Sequence, residues 1–163
     1  MTKRTLIIIG GALLLLLIPF GMWWFSEEKV IKRRSEHLMD VLTISPDTMG
    51  IFRQAKVLSI KGVIAPQIEI ESATISHVSG SFQIDQIESA FSWICTNAKE
   101  SQFEIAEFKE IKIEGDKATV HAKVEGFIEI KGKRVVDGFS DVTMYWGKID
   151  GTWVLTKMIW NQM

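Results

Sequence analysis

The stretch that decides the fold is residues 117–131, KATVHAKVEGFIEIK, in which apolar and polar residues alternate for most of the length. Successive side chains of a β-strand point to opposite faces. One face therefore collects the aliphatic residues Ala118, Val120, Ala122 and Val124. His121 belongs to the opposite face. One aliphatic and one polar face are typical of a strand in an antiparallel sheet that covers a core on one side.

The sequence around this stretch predicts further strands. Residues 102–114 alternate with one slip around Phe108, which indicates a β-bulge. Two more alternating stretches follow, residues 134–149 and 152–160. Turn-forming residues separate the four strands: Gly115-Asp116, Gly132 and Asp150-Gly151. The second half of the chain is thus predicted to be a four-stranded antiparallel meander.

Two helices are predicted directly after Ser26. The first carries an apolar stripe at helical spacing, formed by Ile31, Leu38, Val41 and Leu42. The second begins at Ser45-Pro46-Asp47, where an N-cap residue is followed by proline. Its predicted apolar stripe ends at Gly62 and consists of Phe52, Ala55 and Leu58.

A strand pair and a third helix are predicted before the meander. Residues 67–72 alternate as a strand, and residues 73–78 are its expected partner, ending at Ser79-Gly80-Ser81. The third helix covers residues 85–99, because Asp85 and Glu88 have the spacing of a capping box. Its apolar face comprises Ile87, Phe91, Ile94 and Ala98.

The first 26 residues predict a transmembrane anchor. Thr5 to Phe25 are 21 consecutive uncharged residues, long enough for a membrane span, and Trp23 and Trp24 are typical of a membrane interface. A cleaved secretory peptide is the alternative, although no small-residue cleavage site follows the run. The sequence therefore predicts a single-pass signal-anchor over residues 1–26 and a domain over residues 27–163. The positive-inside rule favours a cytoplasmic domain, whereas the basic start of the chain favours an extracytoplasmic one, which we adopt.

Composition excludes several classes of function. The net charge of −1 gives no basic surface for nucleic acid. Cys95 is the single cysteine, so no intramolecular disulfide or cysteine-based zinc cluster can form. His37, His77 and His121 lack a metal-ligand spacing. We expect neither a metal nor another cofactor.

The order of these elements resembles that of the nuclear transport factor 2-like superfamily over about residues 28–161. The most similar segments are Ile64-Ala65-Pro66-Gln67-Ile68-Glu69, which enters the first strand, and Asp150-Gly151-Thr152-Trp153-Val154-Leu155 in the last hairpin. The resemblance implies an α+β fold in which three helices pack on a curved antiparallel sheet to form a cone. It also implies a choice between small enzymes, binding modules and membrane-anchored assembly proteins, because a fold does not determine function.

No residue set in the sequence forms a convincing active site. Asp40, His77, Asp85 and Tyr145 each have a simpler structural interpretation, and His121 is expected outside the cone. We predict Trp153 to be a core residue beside Leu155. Trp146 and Trp160 are expected to be partly exposed, and with His121 they are the candidates for contact with a ligand or partner.

The sequence favours a non-enzymatic, membrane-anchored binding or assembly domain that contacts a protein partner or a second copy of itself. The alternative is a pocket for a small apolar ligand, or an isomerase-like or cyclase-like enzyme using that pocket. An enzyme would need ionisable groups that converge in a cavity, whereas a scaffold would show an apolar patch outside the cone.

Overall fold

The computed structural model describes residues 26–73 and 79–163. Three α-helices are present in this part of the chain: α1 (Glu27–Leu42), α2 (Gly50–Ile60) and α3 (Ile84–Asn97). The strands, in chain order, are β1 (Ile64–Ser72), β2 (Gly80–Gln83), β3 (Ala98–Glu114), β4 (Lys117–Ile130), β5 (Lys133–Ile149) and β6 (Thr152–Gln162). The helices and the sheet share one core, as expected for an α+β fold.

The six strands form one mixed sheet in the order β2-β1-β6-β5-β4-β3. The predicted meander β3 to β6 is confirmed, including the bulge near Phe108, where the register shifts between Phe108 and Glu110. The expectation of a purely antiparallel sheet is wrong, because β6 pairs with β1 in parallel. The meander begins at the edge strand β3, and each later strand pairs with the one before it. Its last strand, β6, therefore lies beside β1, and these two strands run in the same direction.

The predicted membrane helix requires a second correction to the fold class. No helix within residues 26–73 and 79–163 combines the length and the apolar character needed to cross a membrane. The predicted single-pass signal-anchor and the predicted membrane localisation with an extracytoplasmic domain are corrected with it. Residues 1–25, which include Trp23 and Trp24, lie outside the described residues. The structure thus supports three helices on a six-stranded mixed sheet, without a described anchor.

The core lies between α1 and the inner face of the sheet. The predicted stripe of α1 is confirmed, since Ile31, Leu38 and Val41 are buried. They belong to one cluster with the aliphatic face of β4 and with Met144, Trp146 and Leu155. Trp153 is a buried member of this cluster, as predicted. Burial of large apolar side chains at about 25 cal/mol per Å² is the main stabilising contribution here.

The start of α2 differs from its prediction. Ser45-Pro46-Asp47 forms a turn, in which the amide of Thr48 donates to the carbonyl of Ser45 at 3.0 Å, and the helix begins only at Gly50. Proline at the second position of a turn is favourable, because its φ is already suitable. The chain is held there by Ile44, which pairs with Ser101 of β3. The residues Ser45-Pro46-Asp47, predicted to begin the helix, therefore form a turn before it.

The face of α2 was also predicted wrongly. Val57 and Ile60 are the buried residues of this helix. Phe52 and Leu58, from the predicted core stripe, are 61% and 67% exposed. The helix carries apolar residues on both faces, so periodicity alone could not choose between them.

The strand pair and α3 depart from prediction by a few residues. The partner of β1 is β2, which starts at Gly80, where a break was predicted. The predicted partner, residues 73–78, lies almost entirely in the undescribed segment 74–78. The capping box of α3 is formed by Gln83 and Gln86, because the helix begins before Asp85. Either pair satisfies amides at the helix start.

Candidate ligand cavity

A cavity of about 260 Å³ lies between the helices and the wider part of the sheet. Residues from α1, α3 and five strands reach its wall: Leu42, Ile70, Ser72, Phe91, Ile94, Ser101, Phe103, Ile128, Val136, Met158 and Trp160. Nine of these eleven side chains are aliphatic, aromatic or thioether groups. The wall is therefore almost entirely hydrocarbon.

An aromatic pair forms one side of the cavity. The rings of Phe103 and Trp160 meet edge to face, with their centroids 5.8 Å apart and their planes at 87°. This is a favoured arrangement for two aromatic rings, because the positive edge of one meets the negative face of the other. The pair joins β3 to β6 across the sheet and holds both rings at the cavity wall.

The buried serine of the wall has its hydroxyl satisfied by the protein. Ser101 Oγ donates to the carbonyl of Leu42 at 2.7 Å, which ties β3 to the end of α1. Beside it, Thr43 Oγ1 accepts from the amide of Phe103 at 3.0 Å. These bonds hold the α1 end of the cavity in place and direct the Ser101 hydroxyl to a backbone carbonyl.

No ionisable side chain is among the described residues that line the cavity. General acid–base catalysis needs such a group within hydrogen-bond reach of the substrate. The arrangement can therefore bind an apolar body. The polar side chains on the described wall are two serines: Ser101, whose hydroxyl donates to Leu42, and Ser72 at the end of β1.

The three predicted contact residues lie in different places. Trp160 lines the cavity. Trp146, expected to be partly exposed, is only 1% exposed and packs in the core on the inner face of β5. Its Nε1 has no hydrogen-bond partner among the described residues. Alternation along β5 could have placed Trp146 inside, because it shares a face with Val142 and Met144.

His121 lies on the outer face of the sheet. Its neighbours across the strands are Glu110 and Thr143. Its Nδ1 is 3.1 Å from Thr143 Oγ1, and the adjacent Val120 and Ala122 point into the core. The structure thus separates His121 from the cavity, as its strand position indicated.

The other acid–base candidates are also outside the cavity wall. Asp40 is exposed on α1, with its carboxylate 4.0 Å from Lys56 Nζ. Asp85 is exposed in the first turn of α3, and Tyr145 lies on the outer face beside Thr119. His77 falls in the undescribed segment. Nothing described brings two of these groups together.

Metal and thiol chemistry find little support in the described part of the chain. Within it, no group of three or more His, Cys, Asp or Glu side chains is arranged to hold a metal ion. Cys95 is buried against the core, and this burial raises the pKa of its thiol. A raised pKa lowers the thiolate fraction near neutral pH and so makes Cys95 a poor nucleophile.

Sequence reasoning missed the cavity residues on the β4–β5 hairpin. Ile128 and Val136 are cross-strand partners, and both line the cavity. Phe91 and Ile94 of α3 were predicted as an apolar face, but a cavity cannot be distinguished from a filled core by apolar spacing. The register of the hairpin was the available signal for Ile128 and Val136.

Comparison with solved structures shows what this fold is similar to. A nuclear transport factor 2-like protein from Cytophaga hutchinsonii has a TM-score of 0.65 at 13% identity, over 85% of this chain and 100% of that one. A conserved protein from Planctomyces limnophilus has a TM-score of 0.61 at 10% identity, over 83% and 94% of the two chains. A nuclear transport factor 2-like protein of unknown function from Prochlorococcus has a TM-score of 0.59 at 17% identity, over 85% and 94%.

Two comparisons at the level of sequence find no relative. No protein-family model matches the chain, and no curated protein matches it. At identities of 10 to 17%, the structural similarity establishes the fold and leaves the activity open. The element order, the sheet and these similarities agree, and the chain has the nuclear transport factor 2-like fold.

Proposed function

We propose that this chain is a non-enzymatic binding domain that holds a small apolar ligand in the cavity between its helices and its sheet. The single observation that carries the proposal is the hydrocarbon wall of the cavity, which has no ionisable side chain among the residues that the structure describes. Ligand pockets in proteins are typically concave and mostly apolar. Of the functions considered from the sequence, an apolar ligand pocket agrees best with this geometry.

The size of the cavity limits the ligand. A cavity of about 150 Å³ is enough for benzene. The cavity of about 260 Å³ is larger than that, and it is just below the range of about 300–1,000 Å³ that is usual for drug-sized ligands. A group with one or two rings, or a short branched alkyl chain, fits this space. Because the cavity is partly open to solvent, the rest of a larger molecule, such as the third ring of a three-ring probe, can remain outside.

The proposal predicts that filling the cavity prevents binding. Val136 lines the cavity, so Val136→Trp should place an indole there, and a strand accepts tryptophan well. The fluorescence of N-phenylnaphthylamine, an uncharged probe that brightens in apolar surroundings, measures binding by titration of the full chain. We expect saturable binding to the natural sequence and at least a tenfold lower affinity in the variant.

Val135→Trp is the matched control. Val135 is the neighbouring residue, is 57% exposed and does not line the cavity. The Val135→Trp variant should bind the probe with the same affinity as the natural sequence. Equal binding by both variants, or no saturable binding by the natural sequence, would contradict the proposed cavity function.

A second candidate function is self-association, because an apolar surface lies outside the cone. The α2 ridge consists of Met49, Ile51, Phe52 and Leu58, which are 64%, 74%, 61% and 67% exposed. Four side chains exposed to this extent present on the order of 500 Å² of apolar surface, close to the largest patch on a typical monomer. Such a patch indicates an interaction surface.

A second copy of the chain suits the α2 ridge. The two cations of α2 are turned to carbonyls: Lys56 Nζ donates to Asp40 O at 2.6 Å, and the Arg53 guanidinium binds the chain around α3. The ridge therefore meets its symmetric counterpart without opposing charges. A stable interface buries about 800 Å² on each partner, which the ridge and its rim can approach in a two-fold contact.

This second proposal predicts that a polar residue on the ridge weakens the dimer. Leu58→Ser removes an exposed apolar side chain from the centre of the contact, and we expect at least a tenfold rise in the dimer dissociation constant. Sedimentation velocity of the full chain measures it. Val135→Ser, at an exposed apolar site on the β4–β5 hairpin, should leave association unchanged; an unchanged Leu58→Ser dimer would reject the ridge as the interface.

A further inference from the structure

The β4–β5 hairpin carries a lysine on the cavity side. Ile128 and Val136 are paired across the hairpin and line the cavity. Ile130 is two residues further along β4, so it shares the face of Ile128, about 7 Å away. Lys133 is the cross-strand partner of Ile130. The register shifts between these pairs, and Val135 is left without a cross-strand partner, as in a β-bulge. Because β4 itself alternates regularly and partners in an antiparallel pair share a face, Lys133 takes the face of Ile130, on the side of the hairpin that borders the cavity.

No carboxylate in the described part of the chain neutralises Lys133. Among residues 26–73 and 79–163, no ion pair or hydrogen bond involves its ammonium group. The other cations nearby differ: Lys99 Nζ is 3.2 Å from Glu129, and Arg134 Nη1 is 3.0 Å from Asp137. Glu129 and Arg134 are cross-strand partners and belong to the outer face.

The remaining walls of the cavity do not supply the missing negative charge. On α3, Asp85 and Glu88 lie in the N-terminal half, and Glu88 is 2.6 Å from Lys61. On β1, Glu71 is 2.6 Å from Lys157. The described wall of the cavity is therefore uncharged, and two lysines at its hairpin end, Lys133 and the tip residue Lys131, have no ion pair among the described residues. Of these two, Lys133 is the one on the cavity side.

We infer that the ligand is an amphipathic anion, with an apolar body in the cavity and a carboxylate or similar acidic head bound by Lys133. This inference rests on the proposed cavity function and names the class of its ligand. An ammonium group offers three hydrogen-bond donors on a flexible stem, which suits a compact anionic head without fixed geometry. The Ile128–Val136 pair lies about 7 Å away along the strands, so a ligand whose apolar body contacts this pair can place its head group within reach of the flexible Lys133 stem.

A pair of probes with the same body tests the head group. Anilinonaphthalene sulfonate and N-phenylnaphthylamine share their aromatic rings and differ by one sulfonate. With the full chain at low ionic strength, we expect the sulfonate probe to bind about tenfold more tightly than the neutral probe. Raising the salt concentration should reduce this preference, because exposed charges are screened.

Lys133→Met keeps most of the stem and removes the charge. It should abolish the preference for the sulfonate and leave the affinity for the neutral probe unchanged. The matched control is Lys117→Met, an exposed lysine at the opposite end of β4, which should keep the full preference. Lys131 is adjacent at the hairpin tip, with φ of 51°, so Lys131→Asn tests any contribution from it without strain.

The outcomes separate this inference from the proposed function. Neutral-probe binding without a sulfonate preference, or with a preference that survives in Lys133→Met, rejects the anionic head and leaves the apolar cavity function standing. An equal loss of affinity for both probes in Lys133→Met also rejects the anionic head, since the lysine would then act on the shape of the cavity. Binding of neither probe to the natural sequence overturns both.

Discussion

At the scale of single residues, Arg53 connects three parts of the chain. Its guanidinium donates to the carbonyls of Cys95 and Ala98 at 2.9 and 2.8 Å, at the end of α3. It also reaches the carbonyl of Thr48 before α2 at 3.2 Å. The last carbonyls of a helix lack partners within the helix and attract a positive charge. Arg53 thus fixes α2 against α3, although no sequence pattern marks it.

We expect Arg53→Met to lower the free energy of unfolding by about 2–3 kcal/mol, because bonds to a charged donor are stronger than neutral ones. Urea denaturation of the full chain measures the change. Arg53→Lys should recover less than half of the loss, since an ammonium group lacks the planar fork that reaches several carbonyls. Gln54→Met, the exposed neighbour, should be nearly neutral; a similarly small effect of Arg53→Met would count against this role.

At the scale of elements, α2 shows how the fold selects a helix face. Its sequence has apolar residues on two faces, and the face with Val57 and Ile60 is the one that is buried. The selection is made outside the helix, by the Ile44–Ser101 bridge that precedes it and by the bonds of Arg53 to the end of α3. The excluded stripe became the α2 ridge, so the proposed self-association follows from a tertiary constraint.

The approach of β3 to β4 depends on one glycine. A Cβ at position 126 would lie 2.3 Å from Phe103 Cδ1 and 3.0 Å from the carbonyl of Gln102. Phe103 fills the space that a side chain on β4 would occupy, and its ring also lines the cavity. The cavity wall therefore depends on the contact between these two strands.

We predict that Gly126→Ala destabilises the protein by about 1–3 kcal/mol, as expected for overpacking, and changes probe affinity because the Phe103 ring must move. Thermal unfolding and the N-phenylnaphthylamine titration measure the two effects. Gly50→Ala is the control, because a Cβ there meets nothing within 4 Å and the position is helical. It should be neutral or slightly stabilising. Unchanged stability and unchanged probe affinity in Gly126→Ala would show that the Phe103 ring can move at no cost, and would contradict this prediction.

At the scale of the whole molecule, the two proposed functions use separate surfaces. The cavity lies between α3, the end of α1 and the sheet, whereas the α2 ridge faces solvent. We therefore expect the proposed ligand binding and the proposed self-association to be independent of each other. Of the sequence-based candidates, only Trp160 lies at one of these two surfaces, the cavity; Trp146 belongs to the core and His121 to the outer face of the sheet.

The sequence by itself determined that the described part of the chain is α+β, because alternation and helical spacing record which side of each element is buried. It did not determine the mixed sheet, and the predicted anchor was corrected. The meander, the bulge near Phe108, the core stripe of α1 and the outward position of His121 all followed from these local patterns. Turn chemistry separated the strands for the same reason, since it depends on a few adjacent residues.

Only the tertiary structure decided the parallel pairing of β6 with β1, the face of α2 and the existence of the cavity. Each depends on residues far apart in the chain, such as Ile128 with Phe91 or Arg53 with Ala98. An apolar residue at a cavity wall and one in a filled core have the same local pattern. They differ in whether distant side chains fill the space between them, and that is a property of packing in three dimensions.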